Sequence, residues 1–138
     1  MRVIATWNGR EPDPPIEVPA NAVLVPWLSY SKTMPLCDVV VLHGGHGTLV
    51  RALATGCSVV ACPAGGDMNE NAARVDWAGV GVRIPPRWLG ARSLRLAVGR
   101  ALRPEVRARV AALETPDGAS RACEELEAWA AGRRTAAG

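Results

Sequence analysis

The 138 residues suffice for one domain with a real core, and a hydrophobic content of 49% fits a globular chain. The formal charge of +3 rests almost wholly on arginine, with Lys32 the only lysine, and the basic residues are scattered rather than clustered, which argues against a nucleic-acid partner. No apolar run nears the roughly 20 residues that cross a bilayer, "MRVIATWNGR" lacks the apolar middle of a signal peptide, and Cys37, Cys57, Cys62 and Cys123 show neither a C-x-x-C pair nor a disulfide framework; a cytoplasmic chain with no integral membrane segment and reduced, mostly buried thiols is expected.

In chain order, "RVIATW" is short, β-branched and closed by Asn8-Gly9, so it reads as a strand. "EPDPPIEVPAN" is too rich in proline for a helix or a strand and is read as a loop. "AVLV" is a second strand, and after Pro26-Trp27 a brief helical turn occupies "SKTMPLC". "DVVVLH" lacks polar alternation, which predicts a strand buried on both faces, as in a parallel sheet. "GTLVRALATG" has helical spacing with Gly56 as its stop. The pattern then repeats with strand "CSVVAC", turn "PAGGD", helix "MNENAARVDWAG" and strand "VGVRI". Helices follow in "RSLRLAVGRAL", in "PEVRARVAALE", which Pro104 opens at a favourable first-turn position, and in "GASRACEELEAWAAG". "RRTAAG", 133–138, is read as a flexible tail. Strands alternating with helices predict an α/β chain with a Rossmann-like parallel sheet flanked by helices, because parallel strands need a crossover and a helix supplies it.

Two glycine-rich turns, "HGGHGT" and "PAGGD", follow successive strands, and in open α/β sheets ligands bind outside the carboxyl ends of the strands. Gly44 and Gly45 remove side chains so that an anion can approach the backbone, and the amides of Gly47 and Thr48 open a helix whose N-terminus carries partial positive charge. That geometry suits a diphosphate. A metal site ranks below it, because His43 ends a strand and His46 sits in a turn, unlike the i, i+4 histidine pair of zinc hydrolases. The plainer readings are a strand-end histidine bonded to backbone and glycines that merely allow close helix-to-sheet packing, and the turn alone does not choose among them.

The wider stretch, residues 26–74, "PWLSYSKTMPLCDVVVLHGGHGTLVRALATGCSVVACPAGGDMNENAAR", resembles the donor-binding signature of the UDP-glycosyltransferase superfamily, nucleotide-sugar-dependent enzymes of GT-B fold, and within it the bacterial branch that decorates macrolides and other natural products. The match runs in order through Trp27, "HGGHGT", "RALATG", "SVVACP" and "GGD" followed by "ENAAR". The resemblance implies that Trp27, with Leu28 beside it, binds the nucleobase, that His43 contacts the α-phosphate, and that Gly44, Gly45, Gly47 and Thr48 hold the diphosphate. It also implies that Asp67 accepts hydrogen bonds from sugar hydroxyls, a role compatible with capping the helix that follows. Trp7, Trp77 and Trp129 are read as structural.

Three positions depart from the pattern. Ser29-Tyr30 stands where the family commonly has proline-glutamine, Arg51 where a glutamate grips the ribose, and Met68 where a glutamine often touches the sugar. Met68 favours a less hydroxylated ring, since a buried unpaired hydroxyl costs on the order of 1–3 kcal/mol, so a deoxysugar is as well suited as glucose. Arg51 stands as a candidate ribose or phosphate contact, with a solvated helix face as the better-supported reading.

The resembled enzymes take the acceptor proton with a histidine in a separate N-terminal domain, and they begin the C-terminal domain with a strand and helix ahead of the segment matching "RVIATW". Residues 1–132 are therefore expected to be most of a donor-binding domain without that strand and helix, with no catalytic base of its own and inactive alone. The implied reaction is metal-independent transfer of a hexose or deoxyhexose from a UDP- or TDP-sugar to a hydroxyl of a small acceptor, the nucleotide sugar being substrate and no cofactor being needed. An uncovered sheet edge predicts a homo-oligomer or a partner that carries the acceptor half. The alternative is a non-catalytic nucleotide-binding module serving a full-length transferase. A Rossmann dinucleotide binder is disfavoured, because "HGGHGT" is not G-x-G-x-x-G and no acidic ribose ligand follows about 20 residues on.

Overall fold

The computed structural model describes residues 1–113 and 118–131, so the expected tail at 133–138 lies outside the described residues. The chain forms β1 (Val3–Thr6), β2 (Ala22–Val25), α1 (Tyr30–Thr33), β3 (Val39–Leu42), α2 (His46–Ala54), β4 (Ser58–Ala61), α3 (Asp67–Trp77), β5 (Gly81–Arg83), α4 (Ala91–Ala101), α5 (Pro104–Ala111) and α6 (Gly118–Ala130). Single 3₁₀ turns at Met34–Leu36 and Pro86–Trp88 complete it.

All strand pairs are parallel, as the alternation of elements predicts, but they form two sheets rather than one. β1 pairs with β2, and β3, β4 and β5 pair in that order. The three-stranded sheet carries the core. On one face Leu42, Cys57, Val59 and Ala61 meet Leu49 and Ala52 of α2, Ala72 and Val75 of α3 and Val110 of α5. On the other, Val60, Val82 and Ile84 meet Ala97 and Ala101 of α4. β4 lies between two neighbours and two helical layers, and all four of its residues are buried.

β3 departs from its expectation of burial on both faces. It is an edge strand, and Val41 is 49% exposed. Backbone groups of a parallel strand aim alternately at their two sides. Leu42 accepts from Cys62 N–H on the β4 side, so Val39 and Val41 direct theirs to the open edge. In β1 the Val3 N–H donates to Asn21 on the β2 side, so Ile4 and Thr6 face an open edge too.

The helix ends follow local chemistry. Gly56 sits in the left-handed region (φ +80°) and ends α2, and Pro104 opens α5 at a position whose missing N–H costs nothing. Two side-chain expectations fail. Trp77 and Trp129 are 91% and 77% exposed, the first because it lies past Val75, the last core residue of α3, the second because α6 buries none of its residues; Trp7 is half-buried. Of the cysteines, all free, only Cys57 is fully buried, Cys37 and Cys62 are half-buried and Cys123 is exposed.

Candidate functional site

Leu42, Ala61 and Arg83 are register partners, so the segments that leave β3, β4 and β5 emerge at one end of the sheet. The first glycine turn leaves β3 and runs into α2, which begins at His46 with Gly45 as its N-cap, one residue earlier than the spacing suggests. The first ladder bond of α2 runs from Leu49 N–H to the Gly45 carbonyl at 3.0 Å. The three preceding amides, of His46, Gly47 and Thr48, meet no acceptor among the described residues, and no side chain caps the helix. Three free donors at the positive end of a helix form a ready site for an anion.

The glycines of this turn answer to different constraints. Gly44 has φ +89°, and a Cβ there would stand 2.9 Å from the Met68 carbonyl oxygen. Gly45 has an ordinary backbone, but a Cβ would lie 2.6 Å from His43 Nε2, so the imidazole is folded over it. At Gly47 a Cβ would meet nothing within 4 Å, which leaves the approach to the amides open.

The second turn closes on the first. Gly65 and Gly66 both have positive φ and deliver the chain to α3, whose first turn carries Asp67 and Met68. Asp67 is the first helical residue rather than the cap: Gly66 holds the cap position and no side-chain cap bond forms. Its carboxylate still complements the helix dipole and is exposed. Met68 is half-buried with its carbonyl against Gly44, and the Asn71 side-chain amide donates to the Gly44 carbonyl at 3.0 Å. His43, Gly44, Gly45 and the start of α2 are thereby joined to Asp67 and Met68.

Thr48 and Arg51 lie three residues apart on α2 and share a face; Thr48 is half-buried and Arg51 exposed. Trp27 is 67% exposed in the irregular segment that leaves β2, with Leu28 half-buried beside it. An indole presented to solvent with a polar edge and a broad apolar face is available for stacking.

Arg83 and Asn71 belong to this end of the sheet and escape sequence reasoning. The Arg83 guanidinium donates from Nη2 to Asn69 Oδ1 at 3.4 Å, while its buried Nε has no partner. A charge at the last residue of an apolar strand was the available signal for Arg83; for Asn71 it was its place in "ENAAR", one of the segments that carry the resemblance. Burial pushes the Cys62 thiol, which follows β4, above its ordinary value of 9.0, so it stays protonated at neutral pH and is a poor nucleophile. Among the described residues no three His, Cys, Asp or Glu side chains group as metal ligands, and no helix is long and apolar enough to cross a membrane.

Residues 1–126 match the family model described as erythromycin biosynthesis protein CIII-like, C-terminal domain. The chain is 36% identical over 120 residues to tylactone mycaminosyltransferase of Streptomyces fradiae, covering 81% of this chain and 26% of that protein. It spans about a quarter of the length of the curated relatives it matches. Among solved structures, the calicheamicin glycosyltransferase CalG4 superposes with a TM-score of 0.80 at 22% identity, over 97% of this chain and 44% of that one. The glycosyltransferase VinC in complex with DTDP superposes with a TM-score of 0.67 at 20% identity, over 79% and 35%.

Proposed function

The chain belongs to the erythromycin biosynthesis protein CIII-like C-terminal domain family and has the fold of GT-B glycosyltransferases; from that premise we propose that residues 1–132 are the donor-binding domain of a natural-product glycosyltransferase. The donor is a UDP- or TDP-sugar, and the transferred group is a hexose or deoxyhexose passed to a hydroxyl of a small acceptor. One observation carries the reading: the unpaired amides of His46, Gly47 and Thr48 stand at the sheet end where α3 brings in Asp67 and Met68.

In this reading His43 and the α2 amides hold the diphosphate, with the Thr48 hydroxyl as a further donor and Arg51 on the same helix face. Negative charge grows on the diphosphate as the sugar departs, and fixed donors aimed at it stabilise that charge more than they stabilise the bound donor. Asp67 accepts from sugar hydroxyls, Met68 packs on a poorly hydroxylated part of the ring, and Trp27 with Leu28 takes the base. DTDP bound to VinC, a protein of this fold, supports a pyrimidine nucleotide. The acceptor and the general base belong to a partner domain, so the chain alone is inactive. Four free cysteines suit the reducing cytoplasm, where we place it. A second reading, an auxiliary nucleotide-binding module partnering a full-length transferase, draws on the open edges of β1 and β3. Direct titration with UDP, TDP and GDP tests the donor site: one of the three binds, and NAD does not.

A further inference from the structure

Asn71 carries no role in the reading above, yet its side chain hydrogen-bonds the first glycine turn to α3. Its Nδ2 donates to the Gly44 carbonyl at 3.0 Å. That carbonyl lies outside the α2 ladder, whose first acceptor is Gly45, so nothing in its own helix fixes its direction. Gly44 also presses on the start of α3, since a Cβ there would come within 2.9 Å of the Met68 carbonyl oxygen. One polar tie and one steric stop, both centred on Gly44, thus join the first glycine turn to α3. The first turn of α3 is also tied to β5, by Arg83 through Asn69.

We propose that Asn71 is a positioning residue of the donor site: by fixing the Gly44 peptide it sets the aim of the His46, Gly47 and Thr48 amides relative to Asp67 and Met68. The inference rests on the donor-site reading. A nucleotide sugar is one covalent unit, so the element that grips its diphosphate and the element that grips its sugar must keep a fixed spacing. If the spacing relaxes, the phosphate grip can still be satisfied, and the sugar's contribution to affinity is what is lost.

Asn71→Asp keeps the size of the side chain and removes the donor, and Asn71→Ala removes the group altogether. Two measurements on the full chain decide the matter. In the first, amide hydrogen exchange of Leu49, whose N–H makes the first ladder bond of α2 to the Gly45 carbonyl, accelerates without ligand in both variants by about tenfold or more while β4 is unchanged. In the second, affinity for UDP-glucose and TDP-glucose falls about tenfold, and affinity for UDP and TDP less than about threefold. Unchanged exchange at Leu49 overturns the proposal, and so does an equal loss for nucleotide and nucleotide sugar, which is what general loosening would give. Failure of the unsubstituted chain to bind any nucleotide overturns the donor-site reading itself, and is recognised separately because the exchange measurement needs no ligand.

Discussion

Gly45 and Gly47 are indistinguishable in the sequence and differ in the fold. A side chain at 45 collides with the His43 ring, whereas one at 47 meets nothing within 4 Å. Gly47→Ala should therefore be accepted by the free chain and, because alanine is the better helix former, should stabilise it by about 0.5 kcal/mol in urea denaturation. The same methyl group would stand among the amides proposed to hold the diphosphate, so nucleotide affinity should fall while stability does not. A Gly47→Ala chain that binds nucleotide as tightly as the original would show that no ligand comes close to this backbone. The candidate residues themselves are readable in the sequence, because the glycine turn lies within an ordered set of motifs and not by itself. Which glycine answers to sterics, which to φ and which to open space depends on where the His43 ring and the Met68 carbonyl come to rest, and no local pattern encodes that.

Among the elements, Gly81 in β5 is the most constrained position. A Cβ there would lie 2.1 Å from the Val59 carbonyl oxygen and 2.7 Å from Val75 Cγ1, so α3 and β4 would both have to retreat. Gly81→Ala should cost about 1–3 kcal/mol, read from the midpoint of urea denaturation with an unchanged slope; a cost below about 0.5 kcal/mol would mean that this packing is looser than described. β4, α2, α3 and α4 could be read from sequence, since an unbroken apolar run and a 3.6-residue period each have one main physical meaning. β3 carries the same kind of apolar run as β4 and is half-open, because burial of a strand depends on whether a neighbour exists on each side. Asp67 was misplaced by one position for a related reason: Gly66, free to adopt φ +55°, takes the cap position without needing a side chain.

At the level of the whole molecule, two parallel sheets end in open edges, with Ile4 and Thr6 on one and Val39 and Val41 on the other. Val3 and Ile4 of β1, Val23 of β2 and Val41 of β3 also expose their apolar side chains. Parallel sheets are ordinarily covered on both faces, and unpaired edges template association. Sedimentation velocity should accordingly show weight-average mass rising with protein concentration, and a single monomeric species at all concentrations would contradict this. The split into two sheets was not foreseen from the order of elements, since alternation of strand and helix states that strands are parallel but not which of them pair. The functional reading needed the ordered set of motifs from Trp27 to Arg74; the glycine turn alone left a metal, an anion and plain packing as alternatives. The measurement that bears most directly on the site is calorimetric titration of the chain with UDP, TDP and GDP, repeated with Thr48→Ala and His43→Ala. Saturable one-to-one binding of one nucleotide, weakened about tenfold by each substitution, is the predicted result; binding to none of the three, or binding indifferent to both substitutions, would contradict the assignment of this turn to a diphosphate.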